Sequence, residues 1–186
     1  MLLFVNACMR GAEVSRTHKL CRAFLDGREF TQVDLTKEIP SCLSGEEILR
    51  RDELIDSGKK DFKLATQFAK AEEILVGAPY WDLSFPAALK AYIEQVSIRE
   101  ITFKNTATGV AGLCNAKKLI YITTVGGYIN EQGDFGTDYM RGLCKFFGIP
   151  KFETFRAEGL DIETNNAEDI IREAMKRLEM GRNNEK

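Results

Sequence analysis

A three-layer α/β sandwich, with a five-stranded parallel sheet in the order 2-1-3-4-5, is the fold predicted by this 186-residue sequence. Strand-like and helix-like segments alternate along the chain, which argues for a parallel sheet covered on both faces. Residues 2–7 and 74–78 are short, mostly continuous apolar runs, as strands buried on both sides require. Five strands in a doubly wound sheet favour the 2-1-3-4-5 order. At about 150 residues per domain, the length suits one domain spanning 1–186.

The elements follow in turn. Residues 2–7 read as a buried first strand. From Val14 the period lengthens, with Leu20, Cys21, Phe24 and Leu25 at helical spacing and Gly27 as the stop. Residues 29–35 alternate with period two and predict a half-buried edge strand. Residues 36–60 form a polar insertion; within it Ser44 and Glu47 have capping-box spacing, which predicts a short helix through Arg51. A helix is expected over about 60–71, with Phe62, Ala65, Phe68 and Ala69 on one face, and then the third strand over 74–78. Pro86 suits the first turn of a helix running to Val96. Residues 118–124 are β-rich, 134–148 are helical up to Gly148, and 152–157 alternate as a last strand. Ile170, Ile171, Ala174, Met175 and Leu178 mark a closing helix, and 181–186 read as a frayed tail.

Composition removes several functions. The 26 basic and 28 acidic residues nearly cancel, without the basic excess that nonspecific nucleic-acid binding demands. No apolar run approaches the roughly 20 residues needed to span a bilayer, so no membrane partner is expected. The apolar start, Met1 to Val5, is too short for a signal-peptide core. Five cysteines without a CxxC pair fit neither a disulfide framework nor a zinc site, so reduced thiols, a cytoplasmic location and no metal are expected.

In an open α/β sheet, ligands bind beyond the carboxyl ends of the strands, where strand order reverses. That directs attention to residues 8–17, 79–85 and 124–130. Ser15-Arg16-Thr17 opens the first helix, where free N–H groups favour an anion and two hydroxyls can add hydrogen bonds; taken alone, the short motif reads better as a simple cap at Ser15. Pro79-Tyr80-Trp81-Asp82-Leu83-Ser84-Phe85 places three aromatics between a strand and a helix, suited to a flat heterocycle or to plain loop packing. Gly126-Gly127 permits close backbone approach, or marks an ordinary turn. Neither GxGxxG nor GxxxxGK[ST] occurs, and a single histidine, His18, argues against a Ser-His-Asp or Cys-His enzyme. Cys8 and Arg16 are too far apart for a phosphatase loop.

Several segments carry a resemblance together. Gly77-Ala78-Pro79-Tyr80-Trp81 leads into Pro86-Ala87-Ala88-Leu89-Lys90-Ala91-Tyr92-Ile93. Ile101-Thr102-Phe103, Gly112-Leu113, Lys117-Lys118 and Thr124-Val125-Gly126-Gly127 follow, then Phe147-Gly148-Ile149 and Ala157-Glu158-Gly159-Leu160. Over nearly the whole chain apart from 36–60, the sequence resembles the flavodoxin-fold NAD(P)H-quinone oxidoreductases, nearest their FMN-dependent azoreductase branch. The resemblance implies a flavodoxin-like fold, FMN as cofactor, NADH or NADPH as co-substrate, and a small quinone or azo compound as acceptor. It also implies a homodimer with sites at the interface. Ser15, Arg16 and Thr17 match the segment that holds the FMN phosphate, and Met9 and Arg10 stand where the azoreductases carry a Ser. Pro79, Tyr80, Trp81, Asp82 and Leu83 match the loop that cradles the isoalloxazine; Thr124, Val125, Gly126, Gly127 and Tyr128 match the loop at its other edge. Phe103 matches a residue near the partner chain's site, and Tyr128 is the candidate donor toward substrate. A flavin supplies the hydride chemistry, so a chain with one histidine can still be an enzyme. An electron carrier and a flavin-free binding protein on the same fold stay open as alternatives.

Overall fold

A computed structural model describes residues 1–59, 61–130 and 133–183. The chain runs β1 (Leu2–Asn6), α1 (Arg16–Leu25), β2 (Phe30–Asp34), α2 (Gly45–Asp56), α3 (Lys63–Lys70), β3 (Glu73–Gly77) and α4 (Ala87–Val96). It continues through β4 (Phe103–Thr106), β5 (Gly109–Gly112), β6 (Lys118–Thr124), α5 (Phe135–Phe147), β7 (Lys151–Ala157) and α6 (Ala167–Asn183). The main sheet is parallel throughout, in the order β2-β1-β3-β6-β7. With the β4–β5 hairpin set aside, this is the expected 2-1-3-4-5 order.

Burial follows strand position. Every residue of β1 and β6 is buried, because helices cover both sides of these strands, whereas the edge strand β2 is only half-buried. Alternate side chains of the central strands feed two cores. Leu3, Val5, Ile74, Val76, Leu119 and Tyr121 pack against α3, α4 and α5. Leu2, Phe4, Leu75, Ile120 and Ile122 pack against α1 and α6.

Four expectations change. The capping box at Ser44 and Glu47 forms, but its helix continues five residues past Arg51, to Asp56. No residue of α2 is fully buried; Ile55 packs against the core from its rim, Arg51 donates to the Glu94 carbonyl at 3.1 Å and Asp56 pairs with Arg99. The helix expected from about residue 60 begins at Lys63, and residue 60 itself lies outside the described residues. The tail expected to fray from 181 is helical as far as Asn183, with 184–186 outside the described residues. The fourth change is the hairpin β4–β5, which periodicity did not signal. Its Gly112 backs onto the end of α5, where an added Cβ would lie 1.9 Å from the Phe147 carbonyl carbon. Among the described residues, no helix is long and apolar enough to cross a membrane.

Candidate functional site

The register brings three strand exits to one edge of the sheet: Asn6 lies opposite Gly77, and Gly77 opposite Ile122. The loops after β1, β3 and β6 therefore converge where strand order reverses. Between them lies a cleft of about 420 Å³, within the range of small-molecule sites. A larger hollow of about 570 Å³, lined by Gln32, Asp34, Gln67 and Gln95 among others, lies beyond β2 and includes none of these three loops.

At the first exit, Ser15 caps α1, its Oγ accepting from the His18 N–H at 3.2 Å. The capping role is thus met, and the hydroxyl hydrogen remains for a ligand. Thr17 is buried, and its Oγ1 lies 2.6 Å from Thr124 Oγ1, joining the helix start to the end of β6. The first N–H groups of α1 have no partners within the helix, and Arg10 stands exposed at the cleft mouth. Glu13 is exposed and does not line the cleft.

At the second exit, Tyr80 N–H donates to the Thr124 carbonyl at 3.0 Å. Trp81 and Ser84 then exchange backbone hydrogen bonds of 3.1 and 2.8 Å around a two-residue turn. Asp82 (φ 49°) and Leu83 (φ 68°) both occupy the left-handed region, which costs a non-glycine residue about 1–3 kcal/mol and recurs at ligand sites. The turn holds Trp81 at the cleft wall with 38% of its surface exposed. The Tyr80 phenol donates to the Gly133 carbonyl at 3.0 Å, and burial, and next the Asp134 carboxylate, push its pKa above its ordinary value.

At the third exit, Val125 N–H donates to the Ala157 carbonyl at 2.9 Å, and Gly127 accepts from Gly159 N–H at 2.7 Å. Glu158 accepts from Ile129 N–H at 3.0 Å and pairs with Arg156. Arg156 also meets Asp134 at 2.7 Å, and Asp134 caps α5 by accepting from Thr137 N–H at 2.9 Å. One guanidinium thus ties the Gly-Gly loop to the start of α5, whose first residue donates its N–H to the Leu83 carbonyl at 3.1 Å.

The structure brings Ser15, Arg16, Thr17, Pro79, Tyr80, Trp81, Thr124, Val125, Gly126 and Gly127 onto one wall. Arg10, Val14, Leu160 and Asp161 join them. Met9, Asp82, Leu83 and Tyr128 do not line the cleft. The Tyr128 hydroxyl accepts from Asn165 Nδ2 at 2.9 Å, and the residue is largely exposed. Phe103 lies on the hairpin with its ring 4.7 Å from that of Phe146, away from this cleft. His18 sits beside Phe4, where burial and then the Arg22 charge lower its pKa. Cys8 is buried with its thiol against the Gly77 carbonyl. Sequence reasoning missed Asp134, Arg156, Glu158 and Asp161. For Arg156, Glu158 and Asp161 the available signal was the end and exit of the last strand, residues 156–161, which reach the same sheet edge because Thr124 pairs with Ala157, whereas Asp134 enters from the start of α5.

The cleft therefore offers a cationic, amide-rich end and an end lined by aromatic and glycine backbone, with no cysteine or histidine on its wall. Such a wall is suited to an anion joined to a flat ring, a group that would bring its own reactive chemistry.

Comparison with known proteins agrees with this architecture. The chain belongs to the flavodoxin-like fold family, whose model matches residues 1–180. It is 36% identical over 189 residues to the FMN-dependent NADH:quinone oxidoreductase 2 of Clostridium acetobutylicum, covering 95% of this chain and 94% of that protein. It is also 36% identical to the FMN-dependent NADH:quinone oxidoreductase of Clostridium perfringens, with the same coverage. Among solved structures, an azoreductase from Bacillus anthracis superposes with a TM-score of 0.82 at 27% identity, covering 95% of each chain.

Proposed function

We propose that this protein is an FMN-dependent NAD(P)H oxidoreductase that reduces quinones or azo compounds. The observation that carries the reading is the two-ended cleft at the topological switch point, with hydroxyls and arginines at one end and Trp81 with the Gly126–Gly127 backbone at the other. The residues present fit FMN. Ser15, Thr17 and Arg16 hold the phosphate at the start of α1, with Arg10 adding charge at the mouth. Tyr80 and Trp81 present backbone and an aromatic face to the ring system, and Gly126 and Gly127 allow the opposite loop to approach closely. FMN, when bound, supplies hydride transfer between NAD(P)H and the acceptor.

The same reading makes the protein a homodimer in which Phe103 serves the partner's cleft, which accounts for its distance from the cleft of its own chain. Five free thiols suit a reducing cytoplasm.

Trp81, the sole tryptophan, gives a direct test. Titrating FMN into apoprotein is expected to quench its emission, and the loaded protein is expected to oxidise NADH or NADPH only when menadione is added. Unquenched emission together with no flavin absorbance after purification defeats the cofactor reading. Flavin binding without NAD(P)H oxidation leaves an electron carrier instead. A monomer by analytical ultracentrifugation removes the shared-site reading.

A further inference from the structure

The cationic end of the cleft contains its own anion. Arg16 Nη1 lies 2.6 Å from Asp161 Oδ1 and donates to the Leu160 carbonyl at 3.1 Å. The Asp161 backbone is fixed to the opposite loop, its N–H donating to the Gly126 carbonyl at 2.7 Å. Its side chain, in contrast, is 62% exposed. The carboxylate lies directly over Gly126, where a Cβ would sit 2.4 Å from Oδ2. No larger residue at 126 would leave the carboxylate in this place.

An ion pair this exposed contributes little to fold stability. Its position says more, because both partners line the cleft and Arg16 belongs to the segment proposed above to hold the phosphate. A guanidinium fork accepts a carboxylate or a phosphate in the same planar geometry. A phosphate monoester carries about −1.5 to −2 charge near neutrality, more than the carboxylate it would meet there. Two anions cannot share that fork without repulsion, while the tethered backbone leaves the Asp161 side chain able to turn outward.

We propose that Asp161 is an internal counter-anion that holds Arg16 until the cofactor's phosphate replaces it. By that exchange it sets how strongly the cleft prefers a phosphorylated flavin to an unphosphorylated one. This rests on the flavin reading above. Asp161 lowers the preference, because each phosphate must displace a carboxylate; Arg16 raises it.

The experiment compares FMN with riboflavin, both titrated against apoprotein at low ionic strength and followed by Trp81 emission. Asp161→Asn is nearly isosteric and keeps the backbone tie. It is expected to tighten FMN about five-fold or more while riboflavin changes by less than about two-fold. Arg16→Gln is expected to weaken FMN about ten-fold and leave riboflavin in place. The gain in Asp161→Asn is expected to shrink in high salt, as a charge effect must. An unchanged FMN-to-riboflavin ratio in Asp161→Asn overturns the exchange, as does equal tightening of both flavins, which would make Asp161 a steric obstacle to the ring. Wild-type protein that binds neither flavin sinks the cofactor reading and the exchange with it, an outcome distinct from binding with an unchanged ratio.

Discussion

At the ring end of the cleft, two loops are cross-tied to the scaffold. Arg156 joins Asp134 and Glu158, Glu158 holds Ile129 N–H, and the Tyr80 phenol holds Gly133. At the end proposed for the phosphate, the polar groups answer one another across the mouth, through Arg16 with Asp161 and Thr17 with Thr124, or face solvent, as Arg10 does. The first arrangement fixes backbone before a ligand arrives. The second pairs charges and hydroxyls with one another through side chains. A rigid ring end suits a group that needs exact orientation for hydride transfer, whereas an anion needs only charge and donors within reach.

The contrast is tested by measuring FMN and riboflavin side by side. The largest effect is expected from Ser15→Ala combined with Thr17→Ala. Two hydrogen bonds to a charged oxygen amount to about 3 kcal/mol, so FMN should weaken about 100-fold with riboflavin nearly unaffected. Calorimetry on the same variant should also show about 1 kcal/mol of lost stability from the missing cap. If both flavins weaken alike, the two ends are not separate. Next comes Arg156→Ala, expected to weaken FMN and riboflavin equally. It should cost about 2 kcal/mol in urea unfolding, a value discounted because the guanidinium is 35% exposed. A selective loss of FMN would place Arg156 at the wrong end.

A smaller effect tests the turn. Leu83→Gly relieves left-handed strain but adds unfolded-chain entropy, for a net gain of about 1 kcal/mol or less. If the strain serves ring placement, the more stable variant should bind both flavins less well. The smallest effect concerns His18. Its folded pKa is lowered, so the folded state takes up a proton less readily than the unfolded chain. Stability from this source is present above about pH 6.5 and lost as pH falls below it. The thermal midpoint of His18→Gln should therefore fall less than that of wild type between pH 7 and 5.5. Equal slopes would remove His18 from the account.

The central strands were legible because β1, β3 and the middle of β6 are buried on both faces and must be apolar there. Ser44 with Glu47, and Gly148 after α5, were legible because caps are local. The β4–β5 hairpin was not. Five of its eight strand residues are exposed and none is fully buried, and it stands on a contact distant in sequence, Gly112 against Phe147. The same holds at the site. Topology found three loops, since a strand's order limits where its exit lies. The fourth contribution, Arg156 to Asp161, leaves the sheet at the same edge because β7 runs parallel beside β6, as the predicted strand order implied, but the rule of the reversal point directed attention to other loops. Tyr128, a donor by type, stands outside the lining of the cleft, and its hydroxyl accepts from Asn165 while keeping its own proton.

The Thr17–Thr124 contact can be counted in hydrogens. Two hydroxyls bring two protons, and one of them is spent in the 2.6 Å bond between the oxygens. If Thr17 donates it, nothing remains of Thr17 for an anion; if Thr124 donates it, the proton on Thr17 points free. An anion at the start of α1 therefore selects one direction, Thr124 to Thr17 to guest. The end of a central strand and the mouth of the cleft then become successive links in one oriented chain.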